Sequence, residues 1–139
     1  MKQIFWLVFA MMWFYQGGIF GQVEGTVPDT LTFRQIETEG DSTTYELIIL
    51  DPAFESWFLR IRRPESYYTL DYLESWNRKL VNQWNVAVLH PQRTDCSPST
   101  YLDYDWKISY GITLNYRLFY YFRYMHERCE LFSVVPARW

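Results

Sequence analysis

The chain has 139 residues, the length of one domain, and its 49% hydrophobic and 21% charged residues indicate a globular protein rather than a disordered one. With 13 Lys and Arg against 16 Asp and Glu, the formal net charge is −3, which argues against nucleic acid as a partner. Two cysteines are too few for a disulfide-dense scaffold or a four-cysteine zinc site, and no pattern in the sequence predicts a cofactor or a metal.

The N-terminal segment has the pattern of a secretory signal peptide. Lys2 precedes an apolar run over residues 4–15, and small residues follow the run. We expect cleavage after Gly21, which removes residues 1–21, with cleavage after Gly18 as the alternative. A retained anchor is disfavoured because a membrane-spanning helix needs about 20 apolar residues. The pattern predicts an exported protein, periplasmic or in the cell envelope, that meets a membrane only if this segment stays uncleaved.

The mature chain begins with a polar stretch and continues into a strand. Residues 22–43 are typical of a linker or a weakly ordered segment, although the alternation over residues 30–36 is compatible with an edge strand. The nearly continuous apolar run over residues 45–50 predicts a buried strand, and Pro52 lies just beyond it. We therefore expect a single folded domain over residues 44–139.

Three segments carry helical periodicity. Apolar residues at spacings of three and one predict a short helix over residues 53–61. The clearest periodic run predicts a long amphipathic helix over residues 69–89, with Thr69 as its N-cap. Two stripes of apolar and aromatic residues predict another helix over residues 113–128.

The remaining segments complete the expected architecture. An alternating, β-branched run over residues 130–135 predicts a terminal strand. The fold class is therefore α+β, a small and mostly antiparallel sheet packed by two main helices and one short helix. We expect Trp76, Leu80 and Trp84 on the buried face of the long helix, with Leu47 and either Ile49 or Ile48 of the sheet beneath them.

Several short strings of the sequence together resemble a known family. They are Asp51-Pro52-x-Phe54-x-x-Trp57-Phe58, Arg63-Pro64, Asn77-Arg78, Trp84-Asn85, Asp103-Tyr104, Tyr110-Gly111 and Asn115-Tyr116. Over residues 45–128 the chain is similar to an uncharacterised domain-of-unknown-function family of secreted or lipid-anchored proteins in Bacteroidota-type bacteria. The resemblance implies a cell-envelope location and one small domain, and it implies no activity. This chain has no cysteine near the expected cleavage site, so anchoring by a lipid is unsupported.

The two cysteines form an even pair in a chain expected to be exported. A disulfide between Cys96 and Cys129 would tie the long loop over residues 90–107 to the end of the last helix. The chain-entropy model assigns roughly 3–4 kcal/mol to such a crosslink. Two free thiols are the alternative, because sequence does not establish the geometry. A catalytic thiol is disfavoured, since His126 is adjacent in sequence and Cys–His catalysis normally assembles from distant segments.

The long loop carries the candidate binding residues, Tyr101, Asp103, Tyr104, Asp105 and Trp106. Carboxylates interleaved with aromatic rings suit the stacking and hydrogen bonding of sugars. The simpler alternative is a solvated acidic loop whose rings pack on the core. Paired carboxylates also suit glycosidase chemistry, whereas a calcium loop of the EF-hand type is absent.

Other polar residues are interpreted as structural. Arg60, Arg62 and Arg63 form a short basic cluster of the kind that binds phosphates or carboxylates, although stacking on aromatic rings is the more common role. Buried asparagines must be hydrogen-bonded, so we expect the amides of Asn77, Asn85 and Asn115 to tie loop backbone to helices.

The sequence favours a small exported domain that is not an enzyme and has a binding or structural role. Its partner would be an envelope protein or a glycan. The alternative is a small hydrolase or carbohydrate-active domain that uses Asp103 and Asp105. A catalytic pair would converge in a concave pocket, whereas a subunit of an envelope complex would expose a large Tyr and Trp patch.

Overall fold

The computed structural model describes residues 31–38, 42–91 and 96–139, so the predicted signal peptide lies outside the described residues. The regular elements are β1 (Leu31–Thr38), β2 (Ser42–Ile49), α1 (Pro52–Ile61), a 3-10 turn (Glu65–Tyr67), α2 (Leu70–Leu89) and α3 (Gly111–Cys129). They form the small α+β fold that the sequence predicts. None of the helices in the described ranges is both long and apolar enough to cross a membrane.

The two strands pair as an antiparallel hairpin. Leu31 lies opposite Ile49, and Phe33 lies opposite Leu47. Because side chains alternate between the faces of a strand, these residues share the inner face, where Leu31 is fully buried. Arg34 pairs with Glu46 on the outer face. The folded unit therefore includes β1, which overlaps the segment whose composition resembles a linker.

Helices α1 and α2 begin where short polar side chains satisfy free backbone N–H groups. Asp51 accepts hydrogen bonds from the N–H groups of Ala53 and Phe54 at the start of α1. The Thr69 hydroxyl accepts from the N–H of Tyr72 at the start of α2, as the sequence predicts. All three predicted helices are confirmed to within two residues at each end.

The predicted strand over residues 130–135 is wrong, because this segment is irregular. The side-chain oxygen of Gln83 accepts hydrogen bonds from the N–H groups of Ser133 and Val134, and its amide nitrogen donates to the Val134 carbonyl. The side chain of Gln83 thus forms the hydrogen bonds that these backbone groups would form with a neighbouring strand. Phe132 packs against a phenylalanine of α3, so the apolar alternation reflects packing on helices.

Helix α3 is the centre of the fold and packs against α1, α2, β2 and the 3-10 turn. Leu80 and Trp84 lie on the buried face of α2, as predicted, whereas Trp76 is only half-buried. Leu47 is buried too, but β2 packs on α3 rather than on α2, so its predicted position beneath α2 is wrong. Aromatic rings fill the space between the elements, and the largest fully buried ones are Trp84, Tyr120, Tyr121, Phe54, Phe119 and Phe122. Much of the chain's 21% aromatic content therefore forms its core.

Buried tyrosine hydroxyls also hold the chain between α1 and α2. The hydroxyls of Tyr68 and Tyr120 lie 3.0 Å apart, and Tyr120 also accepts from the N–H of Arg63 at 2.9 Å. The Tyr116 hydroxyl donates to the carbonyl of Arg63. Burial raises the pKa of Tyr116 to about 12 and also raises that of Tyr68. Tyr116 and Tyr68 therefore keep their protons to a higher pH than a tyrosine in water does.

The burial of Trp84 leads to a stability prediction. Its side chain is 2% exposed, and its indole N–H donates to the Thr100 carbonyl. Trp84→Ala should lower the free energy of unfolding by about 3–5 kcal/mol, measured by urea denaturation. Trp106→Ala is the matched control, because that ring is 64% exposed and its loss should change stability by no more than about 0.5 kcal/mol. Equal effects of the two substitutions would contradict the core assignment.

The buried tyrosines predict a loss of stability in alkali. Burial raises the pKa of Tyr68, Tyr104, Tyr110, Tyr116 and Tyr124 above the ordinary value. The unfolded chain therefore loses these protons first, so the stabilisation is complete below pH 10 or so and falls as the pH rises further. Unfolding midpoints in urea should decline between about pH 10 and 11.5, with tyrosinate absorbance appearing on unfolding. A constant midpoint across this range would contradict the prediction.

Candidate functional site

The candidate site is built on residues 96–110, the part of the connection between α2 and α3 that leads into α3. We term these residues the α2–α3 loop. It has no strand or helix, so its backbone groups cannot be satisfied by a regular ladder. Side chains from α2 and α3 hold it instead, at three successive points.

The first point is covalent. Cys96 and Cys129 form a disulfide, with Cα atoms 5.6 Å apart, which confirms the predicted pairing. The bond joins the start of the described loop to the last residue of α3. It therefore ties the loop to the helix on which the rest of the fold packs.

The second point is a pair of side chains on α2. The Asn85 amide donates to the Leu102 carbonyl at 2.9 Å and accepts from the Leu102 N–H at 2.8 Å. Two residues before Leu102, the Thr100 carbonyl accepts a hydrogen bond from the indole N–H of Trp84 at 2.8 Å. Asn85 thus satisfies both backbone groups of one residue, as a neighbouring strand would, and its structural role is confirmed.

The third point is a network of amides and one phenol. Tyr104 donates its hydroxyl proton to the Asn115 side-chain oxygen at 2.8 Å, and Asn77 donates to the same oxygen at 2.9 Å. Asn115 in turn donates to the Gly111 carbonyl at the start of α3. Burial raises the pKa of Tyr104, so its hydroxyl stays a donor at neutral pH. The middle of the loop is therefore fixed to both helices.

These contacts hold the backbone of the five predicted binding residues, but their side chains differ in exposure and in contacts. Tyr101 is 59% exposed and Trp106 is 64% exposed, whereas the Tyr104 ring is half-buried and stacks on a tyrosine. Asp103 and Asp105 are both exposed. The Asp105 carboxylate accepts a hydrogen bond from the backbone two residues ahead and stabilises a turn.

Two of the five, Tyr104 and Trp106, line a cleft of about 210 Å³ against α2. The helix supplies the opposite, polar wall, which consists of Asp71, Glu74, Ser75 and Arg78. We term this cavity the α2 cleft. Tyr101, Asp103 and Asp105 do not line it, so the structure divides the predicted set.

Sequence reasoning did not assign a site to the polar wall of the cleft. Its residues recur at spacings of three and four, which places them on one face of α2. A polar helix face is ordinarily solvated, so this spacing alone does not indicate a site. Only the position of Trp106 above that face makes it one wall of a cavity.

A larger groove of about 650 Å³ lies beside the disulfide, between α2 and residues 129–133. Val86 and Leu131 contribute apolar surface to it. Gln83 also lines the groove, but its amide is already bonded to backbone groups of the C-terminal segment. The Gln83 amide is therefore already engaged and is not available to a ligand in the groove.

The described residues contain no group of three or more His, Cys, Asp or Glu side chains that could hold a metal ion. The α2 cleft instead combines two carboxylates, a guanidinium and a hydroxyl with an aromatic ring. These groups both donate and accept hydrogen bonds, so the arrangement can bind a polar ligand that has an apolar face.

The clamp on Leu102 leads to a prediction. Asn85→Asp keeps the shape and the acceptor but replaces the donor to the Leu102 carbonyl by an oxygen. We expect a loss of about 1–3 kcal/mol in the free energy of unfolding and faster hydrogen exchange at the Leu102 amide. Asn82→Asp, on an exposed position of the same helix, is the control and should leave both unchanged. Unchanged exchange at Leu102 in the Asn85 variant would contradict the clamp.

Comparison with known proteins places the chain in a family. Residues 23–133 match the family described as a family of unknown function (DUF6146), a span that includes both strands, all three helices and the α2–α3 loop. No curated protein and no solved structure matches the chain. Since the match covers most of the sequence, this protein belongs to the DUF6146 family of unknown function.

Proposed function

We propose that this protein is a non-catalytic domain exported to the cell envelope, and that it binds a glycan in the α2 cleft. Export is supported by the signal-peptide pattern of residues 1–21 and by the disulfide, a bond that persists in oxidising compartments. The resemblance to exported proteins of Bacteroidota-type bacteria supports the same location. In an envelope, polysaccharides are abundant ligands for a small binding domain.

The observation that carries the proposal is the exposed Trp106 ring on a fixed backbone. The ring is 64% exposed, although tryptophan is usually well buried. The loop that presents it is anchored at Cys96, Thr100, Leu102 and Tyr104. Because the backbone is already ordered, little conformational entropy is lost when a ligand stacks on the ring.

The opposite wall of the cleft suits the hydroxyl groups of a sugar. Asp71 and Glu74 accept hydrogen bonds, Arg78 donates them, and Ser75 does both. The volume of about 210 Å³ is below the range of roughly 300–1,000 Å³ typical of pockets that enclose a drug-sized ligand. The cleft therefore suits one sugar ring of a longer chain, with the remainder outside.

The geometry gives the hydrolase alternative less support. A glycosidase needs two carboxyl groups on opposite sides of the scissile bond. Asp103 and Asp105 do not line the cleft, and the Asp105 carboxylate is bonded to the backbone of its own turn. We therefore assign the role of the loop to presenting Trp106.

The proposal predicts that glycan affinity depends on Trp106. We expect Trp106→Ala to weaken binding to an envelope polysaccharide at least tenfold in isothermal titration calorimetry, because the ring is an aromatic anchor. Tyr101→Ala is the matched control, since Tyr101 is similarly exposed on the same loop but lies outside the cleft, and should change affinity less than twofold.

Two outcomes would contradict the proposal. One is equal affinity loss in the Trp106 and Tyr101 variants, which would place binding elsewhere on the loop. The other is release of shortened oligosaccharides that stops in Asp103→Asn or Asp105→Asn, which would favour the hydrolase.

A further inference from the structure

Two arginines that are distant in sequence meet around one tyrosine ring, on residues separate from the α2 cleft. The guanidinium carbon of Arg63 lies 4.5 Å from the ring centroid of Tyr67, and that of Arg138 lies 5.2 Å from the same centroid. Arg138 also lies 4.9 Å from the ring centroid of Tyr72. Both arginines are exposed, so two positive charges lie at the surface within about 5 Å of the centre of one ring.

The backbone of each arginine is held by tyrosine hydroxyls. The N–H of Arg63 donates to Tyr120 at 2.9 Å, and its carbonyl accepts from Tyr116. The carbonyl of Arg138 accepts from Tyr72 at 2.6 Å. The positions of the two guanidinium groups are therefore set by the backbone as well as by stacking.

The donor edges of these two groups are free among the described residues. Stacking uses the face of a guanidinium, whereas its five N–H donors lie in the plane. Within residues 31–38, 42–91 and 96–139, neither Arg63 nor Arg138 has a side-chain hydrogen bond or an ion pair. Three other arginines of the same ranges bind carboxylates, namely Arg34, Arg117 and Arg123.

A third arginine lies beside Arg63 in a chain that as a whole is acidic. Arg62 is its neighbour in sequence, with its guanidinium carbon 5.7 Å from the Phe58 ring centroid. Positive charges held at the surface attract anions even on a protein whose net charge is −3.

We propose that Arg63 and Arg138 bind a phosphate monoester. A guanidinium forms paired hydrogen bonds with phosphate or carboxylate oxygens. A phosphate monoester carries close to two negative charges at neutral pH, so one phosphate can neutralise both arginines. One carboxylate neutralises a single arginine. The phosphate can belong to a soluble molecule or to a lipid headgroup, which the experiment distinguishes.

The first arm of the test measures inorganic phosphate binding to the full chain by isothermal titration calorimetry. We expect binding that weakens with added salt, and at least a tenfold loss of affinity in Arg63→Gln and in Arg138→Gln. Lysine at either position should retain part of the affinity, because it keeps the charge but not the paired donors. Arg34→Gln is the control, since that arginine is exposed and already paired with Glu46. Denaturation midpoints are measured for every variant to show that each remains folded.

The second arm uses phosphatidylcholine vesicles with and without phosphatidic acid in a co-sedimentation assay. Binding that requires phosphatidic acid and both arginines identifies a lipid headgroup, and binding of free phosphate without vesicle binding identifies a soluble ligand. The proposal is overturned if neither phosphate form binds, or if the glutamine variants bind as well as Arg34→Gln does. Trp106→Ala should leave phosphate binding unchanged, so failure of the glycan proposal and failure of this one are separable.

Discussion

The backbone N–H and C=O groups outside the helices need hydrogen-bond partners, and the rest of the structure depends on which groups supply them. The described sheet has only two strands, so it offers no ladder to the loops and the C-terminal segment. Helix side chains take its place: Asn85 bonds Leu102, Gln83 bonds Ser133 and Val134, and tyrosines bond the chain between α1 and α2. A buried peptide group without a partner costs free energy, so these few side chains determine where the irregular chain runs.

Tyrosine serves this arrangement better than phenylalanine would. Its ring fills the core between α1, α2 and α3, and its hydroxyl reaches backbone that is otherwise unpaired. Tyr120 shows both roles, because its ring meets Phe58 and its hydroxyl accepts from the N–H of Arg63. The high aromatic content therefore supplies both apolar contact and hydrogen bonds to the same small core.

Both proposed sites follow from this rigidity. Trp106 stands at the surface because the loop beneath it is fixed by the disulfide and by Asn85. Arg63 and Arg138 face one tyrosine because tyrosine hydroxyls hold the backbone of each. An exposed tryptophan ring and two like charges near one another are unfavourable in isolation. Held rigidly, each is ready to bind a ligand without further ordering.

Local sequence was sufficient to determine the three helices, because their periodicity and the caps Asp51 and Thr69 act within a few residues. The cost of burying an amide likewise predicted that Asn85 holds loop backbone, whereas Asn77 joins α2 to α3 instead. These features depend on neighbouring residues or on the cost of a buried amide, both of which are visible in a sequence.

Long-range packing decided the rest. The alternation of apolar residues over 130–135 indicates a strand. In the folded chain this backbone is instead hydrogen-bonded to the side chain of Gln83, about 50 positions earlier. The polar face of α2 became one wall of a cleft only because the loop carries Trp106 over it. Arg138 joined Arg63 because the C-terminal segment docks on Tyr72. Each of these depends on which distant segments meet, and periodicity carries no information about that.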